Sequence, residues 1–199
     1  MYSSTELALK YLNYTWRASN GKGHGIHSPF VYEFVTEVLN DQRMYYPFAA
    51  IENLRASLEK DRRKIVVEDY GKSSAIHKEL RVAAIARRAL SAKKFGQLLF
   101  RMVNHYQPKN IIELGTSLGI SAAYLATADP EASLITMEGS EEIARIAGEN
   151  FKKLELGNIR QINGNLDETL KTVIQSSPPA DLVYIDVNHR KQPLLNYFH

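Results

Sequence analysis

The chain of 199 residues contains no cysteine. This absence excludes disulfide bonds, zinc sites built from thiolates and a cysteine nucleophile. The first six residues, Met1–Glu6, also lack a basic stretch followed by an apolar one. We therefore expect a cytoplasmic protein without a secretory signal.

Long apolar runs and a strong net charge are missing as well. No run approaches the roughly 20 apolar residues that a membrane helix needs, and the formal net charge is only +3. Basic residues are densest over 60–64 and 81–94. Such clusters are typical of solvated helix faces, and contact with nucleic acid or an acidic substrate is the alternative interpretation. We expect no membrane partner, and we do not expect nucleic acid as the main partner.

Hydrophobic residues make up 44% of the chain and charged residues 24%, as in ordinary globular proteins. The length suits one core, or one domain with a helical extension. The pattern of the sequence changes near residue 92. We predict a helical N-terminal extension over residues 1–92 and a core of alternating strands and helices over residues 93–199.

The N-terminal part is dominated by helical patterns. Apolar spacing predicts an amphipathic helix over Thr5–Ser19. Ser28 and Pro29 predict the start of a second helix, with the serine as N-cap and the proline in the first turn. Its apolar stripe extends to Leu39. Further helices are predicted over 49–60 and 76–90, and a short strand is considered at 65–67.

Two loops in this part carry polar residues. His24 and His27 could bind a metal, but no third ligand is spaced to join them, so a loop that orders the next helix is favoured. Asp69–Ser74 predicts a turn or loop.

The C-terminal part alternates between strands and helices. Strands are predicted at 110–114, 133–138, 158–162 and 181–185, and helices at 94–105, 119–128, 141–156 and 166–175. This alternation predicts an α/β fold with a parallel, doubly wound, Rossmann-like sheet. Ligands of such sheets bind beyond the carboxyl ends of the strands. The residues at those ends are therefore the candidates for function.

The first strand leads into the turn Glu113–Gly119. Gly115 permits a tight turn and a close approach to a ligand, and Gly119 opens a helix whose free N–H groups favour a carboxylate or phosphate. Serine at position 117 and isoleucine at 120 exclude the dinucleotide-binding pattern G-x-G-x-x-G, and the phosphate-binding P-loop pattern is absent too. A plain turn between strand and helix is the alternative.

Polar residues also follow the second and third strands. Glu138 could accept hydrogen bonds from a ribose diol, or it could serve as a charge at the start of the next helix. After the third strand, Asn165 of Gly164-Asn165 could cap the following helix or bond an adenine edge. Asp167 is interpreted as a charge in the first helical turn.

The fourth strand ends in Asp186-Val187-Asn188-His189. Asp186 could bind a divalent metal ion, or it could cap a loop or helix. His189 could act as a base or as an orienting donor.

With these strand ends in place, Ile111–Phe198 resembles the first four strands of class I S-adenosylmethionine-dependent methyltransferases of the O-methyltransferase type. In that family an acidic-x-Gly-x-x-x-Gly motif holds the methionine part of the cofactor, and an acidic residue after strand two holds the ribose. The resemblance implies cofactor binding by Glu113, Gly115, Thr116, Ser117, Gly119, Glu138, Gly164, Asn165 and Asp186. It also implies catalytic roles for Asp186 and His189, with Asp186 as a ligand where a metal such as Mg²⁺ is used.

The resemblance implies methyl transfer from S-adenosylmethionine to the oxygen of a small-molecule acceptor. One alternative is a truncated or degenerate fold that binds cofactor or a partner without catalysis. A nucleic-acid methyltransferase is a second alternative, but no Asn-Pro-Pro-Tyr-type motif follows the fourth strand. The family core has seven strands, and this sequence shows only the first four of them. We therefore expect strand four to have an exposed edge. Dimerisation or the N-terminal helices would cover that edge.

Overall fold

The computed structural model describes residues 28–69 and 76–186. The chain forms two compact units, Met1–Arg43 and Met44–His199. The predicted helix over 5–19, both histidines of the first loop and residues 70–74 of the second lie outside the described residues. The boundary between residues 92 and 93 stays a prediction.

The described part of the first unit begins as predicted. Ser28 is the N-cap of helix α1 (Pro29–Glu33), and its hydroxyl oxygen accepts a hydrogen bond from Val31 N at 3.4 Å. The proline lies in the first turn, where its missing N–H leaves no helical bond unmade. The helix then widens into a π-helical segment, Phe34–Leu39. The predicted helix is therefore confirmed in extent, with a change of winding in its second half.

The second unit combines helices with two sheets. Its elements in chain order are α2 (Pro47–Leu58), β1 (Lys64–Asp69), β2 (Ile76–Arg81), α3 (Val82–Ala89), α4 (Lys93–Tyr106), β3 (Asn110–Leu114), α5 (Ile120–Ala128), β4 (Ser133–Glu138), α6 (Glu141–Lys153), β5 (Ile159–Asn163), α7 (Leu166–Ser176) and β6 (Leu182–Ile185). None of the helices in the described ranges is both long and apolar enough to cross a membrane.

The larger sheet has four parallel strands in the order β5–β4–β3–β6. The predicted α/β fold and all four predicted strands are confirmed, with shifts of one residue at β5 and β6. The order reverses between β3 and β6, because the chain first adds strands on one side of β3 and then on the other. Such a reversal opens a crevice at the carboxyl ends of the strands.

The strands of this sheet alternate their side chains between two helical layers. Ile111 and Leu134 pack on one face against α4, α5 and α6. Ile112 and Ile135, one residue further along, pack on the other face against α7. Both faces are therefore covered, which explains why the strands read as short, continuous apolar runs.

A cluster of aromatic rings joins α2, α4 and α5. The ring centroids of Phe48 and Phe100 are 5.0 Å apart, and those of Phe48 and Tyr124 are 5.6 Å apart. A Cβ atom at Gly96 would overlap the Tyr124 ring, so only glycine lets α4 approach α5 this closely. Helices on both sides of residue 92 thus share one core.

The helix predicted over 76–90 is wrong for its first part. Residues 76–81 form β2, which pairs antiparallel with β1, and only Val82–Ala89 is helical. In this hairpin Leu80 lies opposite Ile65, and both contact the core under the helices. Pairing with a strand more distant in sequence thus overrides the local helical pattern. The short strand considered at 65–67 is confirmed within β1.

Candidate functional site

The carboxyl ends of β3, β4, β5 and β6 lie along one side of the sheet, the carboxyl edge. The turn from β3 into α5 has an unusual backbone, since Gly115, Ser117 and Gly119 all have positive φ, at 98°, 47° and 83°. A Cβ atom at Gly119 would also lie 2.6 Å from the Phe151 ring. This glycine is required twice, by its backbone conformation and by the close packing of α6.

Glu138 ties the β3–α5 turn to the end of β4. Its Oε2 accepts a hydrogen bond from Ser117 N at 2.9 Å, and its Oε1 accepts one from Ser140 N at 3.0 Å. Burial raises the pKa of this carboxyl, and the backbone N–H groups of Ser140, Ser117 and Gly139 oppose the rise. The structure thus brings together two residues that the sequence predicted at separate strand ends.

Glu113 is fully buried at the end of β3. Thr136 Oγ1 donates to its Oε2 at 2.6 Å, and the hydroxyl oxygens of Thr136 and Thr116 are 2.6 Å apart. Because Thr136 gives its one proton to the carboxylate, Thr116 is the donor in the second bond. Two threonine hydroxyls therefore link Glu113 to the β3–α5 turn.

The Glu113 carboxyl is a weaker acid than an ordinary glutamate. Burial raises its pKa to about 7, although the hydroxyl groups of Ser121 and Thr136 oppose the rise. The charges of Asp186 and Glu138 add to it. Its Oε1 makes no well-formed hydrogen bond within the described chain. A carboxyl of this kind exchanges its proton near neutral pH and responds to any charge placed beside it.

The strand register places a row of polar side chains across the carboxyl edge. Glu113 pairs with Thr136 on β4 and with Tyr184 on β6. The Tyr184 hydroxyl donates to Asp186 Oδ2 at 3.3 Å, and burial raises the pKa of this tyrosine. Asp186 N in turn donates to Leu114 O at 2.8 Å. Asp186 is thus placed beside the β3 end, whereas His189 lies outside the described residues.

The end of β5 has a structural explanation. Asn165 is the N-cap of α7, and its Oδ1 accepts from Asp167 N at 3.0 Å. Gly164 N donates to Glu138 O at 3.0 Å, so the β5 end lies against the β4 end. Of the two roles considered for Asn165, the helix cap is confirmed.

A cleft opens beside the β3–α5 turn, and sequence reasoning found only part of its wall. Its polar lining consists of Arg55, Ser91, Thr116, Ser117, Ser121 and Asp186. Arg55 comes from α2 and Ser91 from the α3–α4 connection, and neither belongs to a strand-end motif. Their position depends on helix packing, which no short pattern in the sequence specifies. Ser121 could have been found from its place in the first turn of α5.

No metal centre is formed in the part of the chain that the structure describes. Residues 28–69 and 76–186 hold no group of three or more His, Asp or Glu side chains arranged to bind a metal ion. Asp186 therefore belongs to no such group within these two ranges.

A second cavity, of about 530 Å³, lies at the opposite side of the sheet, the amino edge. Tyr46, Ile51, Thr127, Leu156 and Asn158 contribute to its wall. Apart from Glu155, no ionisable carboxyl or basic group lines it. This cavity is larger than the cleft, but its wall has few groups that could bind a charged ligand or transfer a proton.

The fold and the carboxyl edge together define a Rossmann-like protein with a crevice suited to a ligand that carries hydroxyl and charged groups. Residues 112–199 match the family model described as a methyltransferase domain. This match covers the strand ends at which the site is built.

Two curated proteins are also similar to this chain. The chain is 35% identical over 108 residues to the catechol O-methyltransferase of Niastella koreensis, covering 53% of this chain and 47% of that protein. It is 30% identical over 108 residues to the catechol O-methyltransferase of Mycobacterium tuberculosis, covering 53% and 48%. The chain thus spans about half the length of the curated relatives it matches.

A solved structure extends the likeness to three dimensions. The O-methyltransferase TomG of Streptomyces achromogenes, involved in tomaymycin synthesis and solved with S-adenosylmethionine, has a TM-score of 0.52 and 27% identity. The match covers 55% of this chain and 50% of TomG. Over about half of its length the chain is thus similar to O-methyltransferases, one of which was solved with S-adenosylmethionine.

Proposed function

We propose that this protein transfers a methyl group from S-adenosylmethionine to an oxygen atom of a small-molecule acceptor. The observation that carries the proposal is the carboxyl edge, where Glu138 and the β3–α5 turn are hydrogen-bonded to each other. The names of the relatives support oxygen as the receiving atom.

The polar groups of this edge fit the cofactor. Glu138 would accept hydrogen bonds from the ribose hydroxyls, because it is a carboxylate held at the end of β4. Gly115, Thr116, Ser117 and Gly119 would surround the methionine part, at the N-terminal end of α5. Glu113 would contribute a hydrogen-bond acceptor to this part of the site, since its buried Oε1 makes no well-formed hydrogen bond in the described chain. Gly164, Asn165 and Asp186 complete the proposed set.

The walls of the cleft must separate for this ligand to enter. The described residues enclose about 20 Å³ there, which is room for about one water molecule. Cofactor-sized ligands occupy pockets of roughly 300 Å³ or more. We propose that the walls of the cleft move apart when the cofactor binds.

The chemistry proposed for the protein itself is positioning and proton removal. S-adenosylmethionine, when bound, supplies a methyl group that is already activated by its sulfonium. Asp186 would accept the proton of the acceptor hydroxyl, and His189 would assist. Where a metal ion such as Mg²⁺ is used, Asp186 would instead help to hold it, and the ion would lower the pKa of the acceptor hydroxyl. Holding the two reactants in line supplies much of the rate enhancement of such a reaction.

The test is a turnover assay with isotopically labelled S-adenosylmethionine. Catechol and other hydroxylated aromatic compounds are offered as acceptors, each with added magnesium and with a chelator. Labelled product supports the proposal, and its loss on chelation supports the metal. Cofactor binding without any turnover would favour the degenerate fold. Labelled RNA or DNA, bound with strong salt dependence, would favour the nucleic-acid alternative.

Two further features are proposed with this function. Among the described strands β6 forms one edge of the sheet, and its Val183 is half exposed. A homodimer that pairs these edges would cover it, which light scattering on the purified protein tests.

A cytoplasmic location is proposed as well, and fractionation of cells that make the protein tests it.

A further inference from the structure

Arg55 has a position in the cleft that the strand-end motifs do not explain. It extends from α2, its side chain is only 12% exposed, and it lines the cleft together with Ser117 and Ser121. Asp186 is the only other charged residue in that described wall. A nearly buried guanidinium beside a ligand site is costly unless acceptors surround it.

One carboxylate and one backbone carbonyl hold this guanidinium in place. Arg55 Nε lies 3.2 Å from Glu52 Oε2, and Arg55 Nη1 donates to Ser91 O at 2.8 Å. Glu52 Oε1 also accepts from the Tyr124 hydroxyl at 2.6 Å, and the Tyr124 side chain is fully buried. The position of Arg55 is thus fixed by α2, by α5 and by the α3–α4 connection.

These bonds leave part of the guanidinium available. Arginine carries five N–H donors, and the bonds to Glu52 and Ser91 use two of them. The structure gives Arg55 no other hydrogen bond within the described residues. Remaining donors in a planar fork suit a carboxylate, because both carboxylate oxygens can accept at once.

The groups around Arg55 indicate which carboxylate this is. Glu138, the proposed ribose acceptor, accepts a hydrogen bond from the backbone of Ser117, and Arg55 lines the cleft together with Ser117 and Ser121. Ser121 lies in the first turn of α5, where free N–H groups also favour an anion. We propose that Arg55 binds the α-carboxylate of the amino-acid part of S-adenosylmethionine, an inference that rests on the proposed function.

Calorimetric titration with two ligands tests this role. One ligand is S-adenosylmethionine and the other is decarboxylated S-adenosylmethionine, which keeps the sulfonium and lacks the carboxylate. We expect Arg55→Gln to weaken S-adenosylmethionine about 10- to 100-fold and to leave the decarboxylated ligand within about twofold. Arg55→Lys keeps the charge without the fork and should lie between. The control Arg145→Gln removes an exposed, ion-paired arginine on α6 and should change neither affinity.

The outcomes separate the two proposals. Equal weakening of both ligands by Arg55→Gln would mean that Arg55 only supports the wall, and unchanged binding of S-adenosylmethionine would mean that it has no role in binding; either result overturns the inference. A wild-type protein that binds the two ligands equally well overturns it without any variant. A folded wild-type protein that binds neither ligand overturns the proposed function itself.

Discussion

At the amino edge of the sheet the protein has a cavity of about 530 Å³, whereas the described residues at the carboxyl edge enclose about 20 Å³. The acidic groups of the two edges differ in the direction in which their pKa is shifted. Near the amino edge Asp129 pairs with Lys109 at 2.8 Å, and this hydrogen bond lowers the pKa of the aspartate. At the carboxyl edge burial raises the pKa of both Glu113 and Glu138.

The difference shows that the two edges are distinguished by their chemistry in the opposite sense to their volume. In a parallel sheet the helix N-termini and the tight β–α turns gather at the carboxyl edge. Buried carboxyl groups that have no counter-charge there can bind hydrogen-bond donors or cations supplied by a ligand. The amino edge has room, but its acid is already neutralised by a partner at the surface.

The largest expected effect concerns the glycines of the two edges. Gly119→Ala should lower the free energy of unfolding by about 2–4 kcal/mol, because φ is 83° and the new Cβ would lie 2.6 Å from the Phe151 ring. Gly157→Ala, at the amino-edge cavity, meets no atom within 4 Å and should change stability by less than about 1 kcal/mol. Urea unfolding measures both. Equal effects of the two substitutions would remove the structural distinction between the edges.

The next effect is a pH dependence of stability. Folded Glu113 keeps its proton up to about pH 7, whereas the unfolded carboxyl releases it near pH 4.5. Unfolding therefore releases a proton between these values, and the free energy of unfolding falls as pH rises through this window, by up to about 3 kcal/mol. Glu113→Gln should flatten the decline in urea titrations between pH 5 and pH 8.

Asp129→Asn serves as the control at the amino edge. The pKa of Asp129 is lowered in the folded state, so its stabilisation is lost only as pH falls below the usual range of a carboxyl. This variant should leave the decline between pH 5 and pH 8 unchanged. A Glu113→Gln curve that runs parallel to the wild type would contradict the raised pKa.

The smallest expected effect is at the β5 end. Asn165→Ala removes the cap of α7 and should cost about 1 kcal/mol of stability, whereas Asn165→Ser keeps a capping oxygen and should cost less. Titration with S-adenosylhomocysteine separates the cap from the proposed adenine contact. If both variants lose affinity to the same degree, the Asn165 side chain contacts the ligand in addition to capping the helix.

The sequence predicted the sheet and its strand ends well because both depend on local patterns. Apolar runs at 110–114 and 133–138 and the two glycines of the β3–α5 turn are visible without any knowledge of packing. The same holds for Glu138 and Asp186, which follow directly from the strand ends. The β1–β2 hairpin was missed because its pairing partner, not its own composition, makes residues 76–81 a strand.

The rest of the site depends on contacts between distant segments. Arg55 and Tyr124 meet through Glu52 only after α2 has packed on α5. The buried chain from Thr116 through Thr136 to Glu113 requires the register of β3 against β4. Neither contact corresponds to a fixed spacing along the chain, so no motif could have predicted it.

The most direct test of the account is a calorimetric titration of the purified protein with S-adenosylhomocysteine, in the wild type and in two matched variants. Glu138→Gln can replace only one of the two acceptor oxygens at the carboxyl edge, and Glu155→Gln makes the same change beside the amino-edge cavity. The account predicts binding by the wild type, a loss of at least about tenfold in affinity with Glu138→Gln, and no change with Glu155→Gln. Binding that is lost with Glu155→Gln and kept with Glu138→Gln, or no binding by the folded wild type, would contradict the assignment of the cofactor to the carboxyl edge.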